Sequence, residues 1–282
     1  MRFTFLTLAF LAGTYVSQVP AAAMPIEWTV APARTDAEVQ LTIAVRERGN
    51  NSTTTSTLSR AELEGLDAGT GDRRRFAVRR PAGTLDCSGL YDGRRGTGTC
   101  AFAADPAFAK GLAARGIAAP TERQSLQLAL HRADLKLLET LARYDYARPT
   151  IDQLIAAGIF SVTPAYVQSL ADAGYRVGSL DKLVTLRIHD VKLDWIRALG
   201  RASPSLMRVS ADQLIAMRIH GVSPGDVEAY AKLGYRDLTP QQLIAMSIHG
   251  VSPEFAQRAQ RSGARPDPDR LVAMRIHGTY LN

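Results

Sequence analysis

The stretch Arg218-Ile219-His220-Gly221-Val222-Ser223-Pro224 decides the reading of this chain, because the chain keeps repeating it. It returns as Ser247 to Pro253, as Arg275 to Thr279 and, more loosely, as Arg187 to Leu193. Degenerate copies run from Gly158 to Pro164 and from Ala129 to Leu135. With the histidine as anchor, the copies fall at 131, 160, 189, 220, 249 and 277, spaced 29, 29, 31, 29 and 28 residues apart. All five histidines of the chain occupy this position, and Phe160 fills the sixth. A period in this range marks an array whose units bury their faces on one another.

The rest of the unit follows from the anchor. Ten residues before it stand Thr121, Thr150, Ser179, Ser210, Thr239 and, in the last copy, Asp267. Each has a side-chain oxygen that can accept from a free amide of a helix's first turn. Gln124, Gln153, Gln213 and Gln242 follow three residues later and complete capping boxes. The next stretch is apolar nearly all round, as in Leu214, Ile215, Ala216, Met217 and Ile219, which predicts an inner, buried helix. Gly221, Gly250 and Gly278 stand where a left-handed closing residue is expected. Ser223-Pro224, Ser252-Pro253 and Thr163-Pro164 then open a second, amphipathic helix. The expected array covers 121–282 as five full helix-turn-helix units and a final half unit.

The front of the chain differs. Met1-Arg2 leads an apolar run from Phe3 to Val16, and Ala21-Ala22-Ala23 precede Met24. Residues 1–23 read as a secretory signal peptide, since the run is short for the competing reading, a membrane anchor. No later stretch is long enough to span a membrane once the signal is cleaved. Residues 24–104 read as a small antiparallel β domain. Val39, Leu41, Ile43 and Val45 alternate with Gln40, Thr42 and Ala44, the pattern of a strand buried on one face. Gly49 to Thr57 reads as a polar loop or hairpin end, and Ser59-x-x-Glu62 as the cap of a short helix through Leu66. Thr84–Tyr91 and Thr97–Ala103 flank Asp92-Gly93-Arg94-Arg95-Gly96, a hairpin signal. A turn centred between Gly93 and Arg94 sets Cys87, one of the chain's two cysteines, opposite the other, Cys100. An exported chain meets oxidising conditions, so a disulfide is expected. Asp105-Pro106 caps a linking helix within 105–120. The fold class is α+β: a disulfide-bonded β module, then an α-helical solenoid of about 29 residues per unit.

No HExxH, phosphate-binding glycine loop, GxSxG elbow or Cys–His pairing occurs, so no catalytic residue is assigned. The candidate binding edge is Arg187, His189, Arg218 and His220, continued by His249, Arg275 and His277. Neighbouring units of such a stack lie roughly 10 Å apart. That is too far for adjacent histidines to share a zinc ion, whose nitrogen ligands sit about 2 Å away. No metal and no cofactor is expected. The blander reading of the histidines is capping of helix C-termini. The chain carries a net charge of +7, and 22 basic against 17 acidic residues lie from Asp105 onward. Arg73, Arg74, Arg75, Arg79 and Arg80 form a denser patch. A basic exported surface suits an anionic envelope component or an acidic protein face, while export argues against nucleic acid.

These residues resemble a known group. IAMRIHGVSP (Ile215–Pro224), IAMSIHGVSPEF (Ile244–Phe255) and LGYRDLTPQQL (Leu233–Leu243) resemble helical repeats of exported bacterial proteins. Similar repeats follow the membrane metallopeptidase domain in some relatives of the β-lactam-sensing regulatory peptidase. VQLTIAVRE (Val39–Glu47), SRAELEGLD (Ser59–Asp67), the stretch from Arg74 to Phe102 and DPAFAKGL (Asp105–Leu112) are similar to that group too. The peptidase domain, with its membrane helices and HExxH, is absent from this sequence. The resemblance implies a periplasmic or secreted, non-enzymatic scaffold for protein interaction or sensing, with another envelope protein as partner. The alternative is a ligand or metal sensor using the Arg/His edge.

Overall fold

The structure, a computed structural model, describes residues 24–278 except 48, 69, 70, 262 and 264. The expected signal peptide lies outside the described residues. Among the described residues six strands are followed by twelve α-helices, an α+β arrangement. The chain divides into two compact units. One takes the strands up to Val78 with Leu85–Phe102, and the other takes Arg79–Thr84 with everything from Ala103.

The strands are β1 (Ile26–Pro32), β2 (Glu38–Glu47), β3 (Asn50–Ser59), β4 (Arg73–Arg80), β5 (Gly83–Tyr91) and β6 (Gly96–Ala104). They form one antiparallel sheet in the order β3-β2-β1-β6-β5-β4. Val39, Leu41, Ile43 and Val45 are all buried, so the alternation in β2 reports its packed face. Trp28 centres that face: it lies opposite Ile43 on one side and Gly98 on the other, and is fully buried. Its ring meets Phe76 edge-on at 5.0 Å, and its indole N–H donates to the Ser88 carbonyl at 3.1 Å. A Cβ at Gly89, Gly96 or Gly98 would fall within 2.7–2.9 Å of that ring. These glycines therefore make room for the tryptophan.

The β5–β6 hairpin turns through Gly93 and Arg94. The Asp92 amide donates to the Arg95 carbonyl, and the Asp92 carboxylate accepts from the Arg94 and Arg95 amides. Those amide bonds hold this carboxyl below its usual pKa. Cys87 and Cys100 face each other across the hairpin, Cα atoms 4.0 Å apart, and are disulfide-bonded. The stretch expected as a polar loop or hairpin end is the returning arm of a hairpin, the ten-residue edge strand β3, in register with all of β2. Its inward positions carry Ser52, Thr54 and Ser56 rather than aliphatic residues, so no apolar alternation announced it. The helix expected from Ser59 to Leu66 is a single 3-10 turn, Arg60–Glu62, with the Ser59 amide donating to the Glu62 carboxylate.

The helices are α1 (Pro106–Ala113), α2 (Glu122–Leu130), α3 (Leu135–Arg143), α4 (Ile151–Ile159), α5 (Pro164–Asp172) and α6 (Leu180–Ile188). Then come α7 (Leu193–Ala202), α8 (Ala211–Ile219), α9 (Pro224–Lys232), α10 (Pro240–Ile248), α11 (Pro253–Arg261) and α12 (Pro268–His277). Even helices pack in sequence, α2 on α4 and so on to α12. Odd helices do the same from α1 to α3 to α5, and from α7 to α9 to α11. The helix expected as a linker, α1, thus packs on α3 as α3 packs on α5.

All six predicted N-caps of the even helices accept a hydrogen bond from the amide three residues on. The four glutamine capping boxes form as well. The one 31-residue interval has a local cause. After α7 the chain makes a 3-10 turn, Pro204–Arg208, before the next N-cap, Ser210. Among the described residues no single helix is long and apolar enough to cross a membrane. The pair α4 and α5 would suffice together, but it bends by 84°.

Replacing both Cys87 and Cys100 with serine releases the cross-link of the hairpin. It should cost about 3 kcal/mol of unfolding free energy, the loop-closure value for this separation. Denaturant titration of the wild type, with and without reductant, and of the double variant checks this.

Candidate functional site

The anchor residues sit where the even helices stop. His131, Phe160, His189, His220 and His249 are the C-caps of α2, α4, α6, α8 and α10, and His277 is the last residue of α12. The following residue is left-handed in every copy. Gly221, Gly250 and Gly278 have φ of 72°, 64° and 61°, while Arg132, Ser161 and Asp190 adopt 57°, 55° and 54° despite their side chains. In five copies the amide two residues after the anchor returns to the carbonyl three before it, as from Val222 to Met217 at 2.9 Å. This is the Schellman closure. The backbone alone makes it, so a histidine is not required, and Phe160 sits in the same conformation.

It is the anchor's carbonyl that joins one unit to the next. Arg187 Nε donates to the Phe160 carbonyl at 3.0 Å, and Arg218 Nε to the His189 carbonyl at 3.2 Å. Ser247 Oγ donates to the His220 carbonyl. In each case the donor stands two residues before its own unit's anchor. Gly158 occupies that position in α4, where a Cβ would collide with the His131 carbonyl. The carbonyls at a helix C-terminus carry partial negative charge and lack partners within the helix. A guanidinium from the next unit satisfies both needs.

The arginines at this position, Arg275 included, lie over aromatic rings at the start of the preceding odd helix. Arg187 stacks on Tyr166 at 5.1 Å, Arg218 on Trp195 at 5.5 Å and Arg275 on Phe255 at 5.5 Å. Ser247 replaces arginine in one unit, and Asp226 then replaces the ring. Arg218 also pairs with Asp190 at 3.2 Å, and Lys192 pairs with the same carboxylate. Both cations hold the Asp190 carboxyl below its usual pKa, Lys192 the more strongly. Hydroxyls add further links. Tyr166 donates to the Val191 carbonyl at 3.0 Å, and burial pushes its pKa up to about 12. Tyr230 donates to the equivalent carbonyl of Val251.

Within the candidate edge Arg218 meets the His189 carbonyl, and Arg187 and Arg218 are both occupied as clasps between units. His189 is half-buried, and His220, His249 and His277 are exposed. Among the described residues no three His, Cys, Asp or Glu side chains converge as metal ligands. Burial pushes the half-buried His131 below its ordinary pKa of 6.5. The basic patch lies on β4, where the pleat divides it. Arg73, Arg75 and Arg79 are exposed, and Arg74 and Arg80 alternate with them. Arg74 donates to the Gly71 carbonyl, and Arg80 to that of Arg79 at 2.9 Å.

One feature was hidden by the expectation of a fully buried even helix. Ile159, Ile188, Ile219, Ile248 and Ile276, each directly before the anchor, are 49–55 % exposed. The pair Ile-His recurs in the sequence, but an apolar residue there was read as core.

Compared with known proteins, the chain matches no family model, no curated protein and no solved structure.

Replacing Arg218 with methionine removes the clasp while keeping most of the stem that covers Trp195. The loss should be about 1–3 kcal/mol of stability, the range for a charge-assisted hydrogen bond with a ring contact. His220→Asn should change it by less than about 0.5 kcal/mol, since the carbonyl stays. Chemical denaturation of both variants reads the difference.

Proposed function

We propose that this chain is an exported, non-enzymatic scaffold whose helical region is a repeat solenoid that binds another envelope protein. One observation carries the reading: the N-cap and the helix closure recur from unit to unit, and a side-chain clasp to the preceding anchor's carbonyl joins three successive pairs of units. A one-dimensional stack of this kind offers an extended surface with one copy of each exposed group per unit. The apolar run before Met24 and the cysteine pair support an extracytoplasmic, periplasmic or secreted location. The resemblance to repeats attached to regulatory metallopeptidase relatives supports an interaction or sensory role.

The alternative, a ligand or metal sensor on the Arg/His edge, draws less support. Arg187 and Arg218 already spend their Nε donors on carbonyls of the neighbouring unit. An anionic envelope component fits better at β4, where Arg73 and Arg75 are exposed.

A photo-crosslinking amino acid placed at His220 or His249 of the exported chain, and separately at Thr29 on the sheet, tests the reading in cells. A discrete protein adduct from the helix positions and none from Thr29 is the expected pattern. Adducts from neither region, in a chain shown to be folded and exported, would overturn it.

A further inference from the structure

We propose that the free edge of β3 pairs, antiparallel, with the same strand of a second copy of this chain. The inference concerns the sheet and stands apart from the reading of the helical region.

Half of the strand's backbone groups take no part in the sheet. In an antiparallel ladder, every second residue turns both its N–H and its C=O away from a given neighbour. The Ser59 amide donates to the Glu62 carboxylate, and the amide of Arg46, opposite Asn51, donates to the Pro25 carbonyl at 3.2 Å. Asn51 and Ser59 are therefore positions where β2 and β3 exchange no backbone bonds, and by alternation so are Thr53, Thr55 and Thr57. Their backbone groups lie along the outer edge, where among the described residues no strand pairs with them. Pairing with β2 is one-to-one from Glu38–Ser59 to Glu47–Asn50, with no bulge to bend the edge away.

The two edges of the sheet are built differently. β4, at the far edge, carries Arg73, Arg74, Arg75, Arg79 and Arg80. The chain's own Glu64 also bridges Ala77 there, by two backbone bonds of 2.9 Å. Charge and cover both keep a foreign strand off such an edge. From Asn50 to Ser59 there is no charged residue, no proline and no glycine. The threonines favour an extended chain, and Asn51, Thr53, Thr55 and Thr57 are exposed.

Symmetry and side chains argue for the same strand as occupant. Two antiparallel copies of β3 are related by a two-fold axis, so each answers every group that the other offers. The exposed face already sets threonine beside threonine: Thr97, Thr29, Thr42 and Thr55 lie in lateral register, and the Thr42 and Thr55 hydroxyls are 2.9 Å apart. An axis through Thr55 continues that row into the second copy, with Thr55 facing its counterpart and Thr53 facing Thr57. No charge of the strand meets its own image across the axis. Pairing β3 on β4 would leave a free edge on each copy and grow a filament, whereas β3 on β3 uses the free edge of both and stops at two. One pair of strands is a smaller contact than a standard interface, so a weak association is expected.

Sedimentation velocity on the mature chain, from about 10 to about 500 μM, tests the proposal. The wild type is expected to dimerise toward the upper end. Thr53→Lys/Thr57→Lys and Thr53→Glu/Thr57→Glu, both at exposed positions, should each weaken association about tenfold or more, with circular dichroism and melting as in the wild type. An equimolar mixture of the two should associate again, because opposite charges then face each other. Thr55→Pro removes an edge N–H that β2 does not use, and should abolish the dimer. A wild type monomeric throughout would overturn the proposal, as would a dimer indifferent to these changes or a mixture that fails to associate. A photo-crosslinker at Thr55 that joins a different protein in cells, with no self-adduct, would refute the second copy as occupant.

Discussion

The helical region depends on what happens to the carbonyl at the end of each even helix. A helix C-terminus leaves its last carbonyls without internal partners and with partial negative charge. Here the Schellman closure satisfies the carbonyl three residues before the anchor, and the anchor's own carbonyl is left facing the next unit. Arg187 and Arg218 reach it with a guanidinium, Ser247 with a hydroxyl, and at Gly158 the backbone itself comes close. The donor's size decides what must lie beneath it. Each arginine needs a ring to cover, and Tyr166, Trp195 and Phe255 provide one; the short Ser247 needs none, and Asp226 takes that place. Each unit therefore constrains the first turn of the second helix in the unit before it.

Much of this grammar was legible in the sequence, because it is local. An N-cap oxygen, a glutamine three residues on and a residue able to turn left-handed all act within a dozen positions. The even helices accordingly start and stop where the pattern places them. Left-handed Arg132, Ser161 and Asp190 show that position prevails over residue type. What was not legible depends on partners distant in sequence. Strand β3 has polar residues on its inward side and is fixed by pairing with β2 along its whole length. The three glycines around Trp28 read as weak strand formers until the ring above them is known.

The site shows the same division. The positions of the histidines were predictable, but their arginine neighbours turned inward to the stack rather than outward to a ligand. The exposed isoleucines went unread because apolar residues on a short helix are ordinarily core, and exposure is set by which neighbours a unit has. Scaffolds of stacked units commonly separate these tasks: one set of positions holds the stack and another faces outward. Here the residue two before the anchor serves the first and the residue one before it is placed for the second.

Where the clasp forms it joins equivalent positions of successive units, so those units should be interchangeable. Deleting residues 221–249, one 29-residue period, joins His220 to Gly250 and brings Arg275 and Phe255 against the His220 end. Thermal unfolding followed by circular dichroism should then show a cooperative transition with unchanged helicity per residue. A deletion of half a period should not fold. A molten or unfolded one-period deletion would contradict the account, because it would mean that the units are held by features particular to each rather than by the repeated clasp.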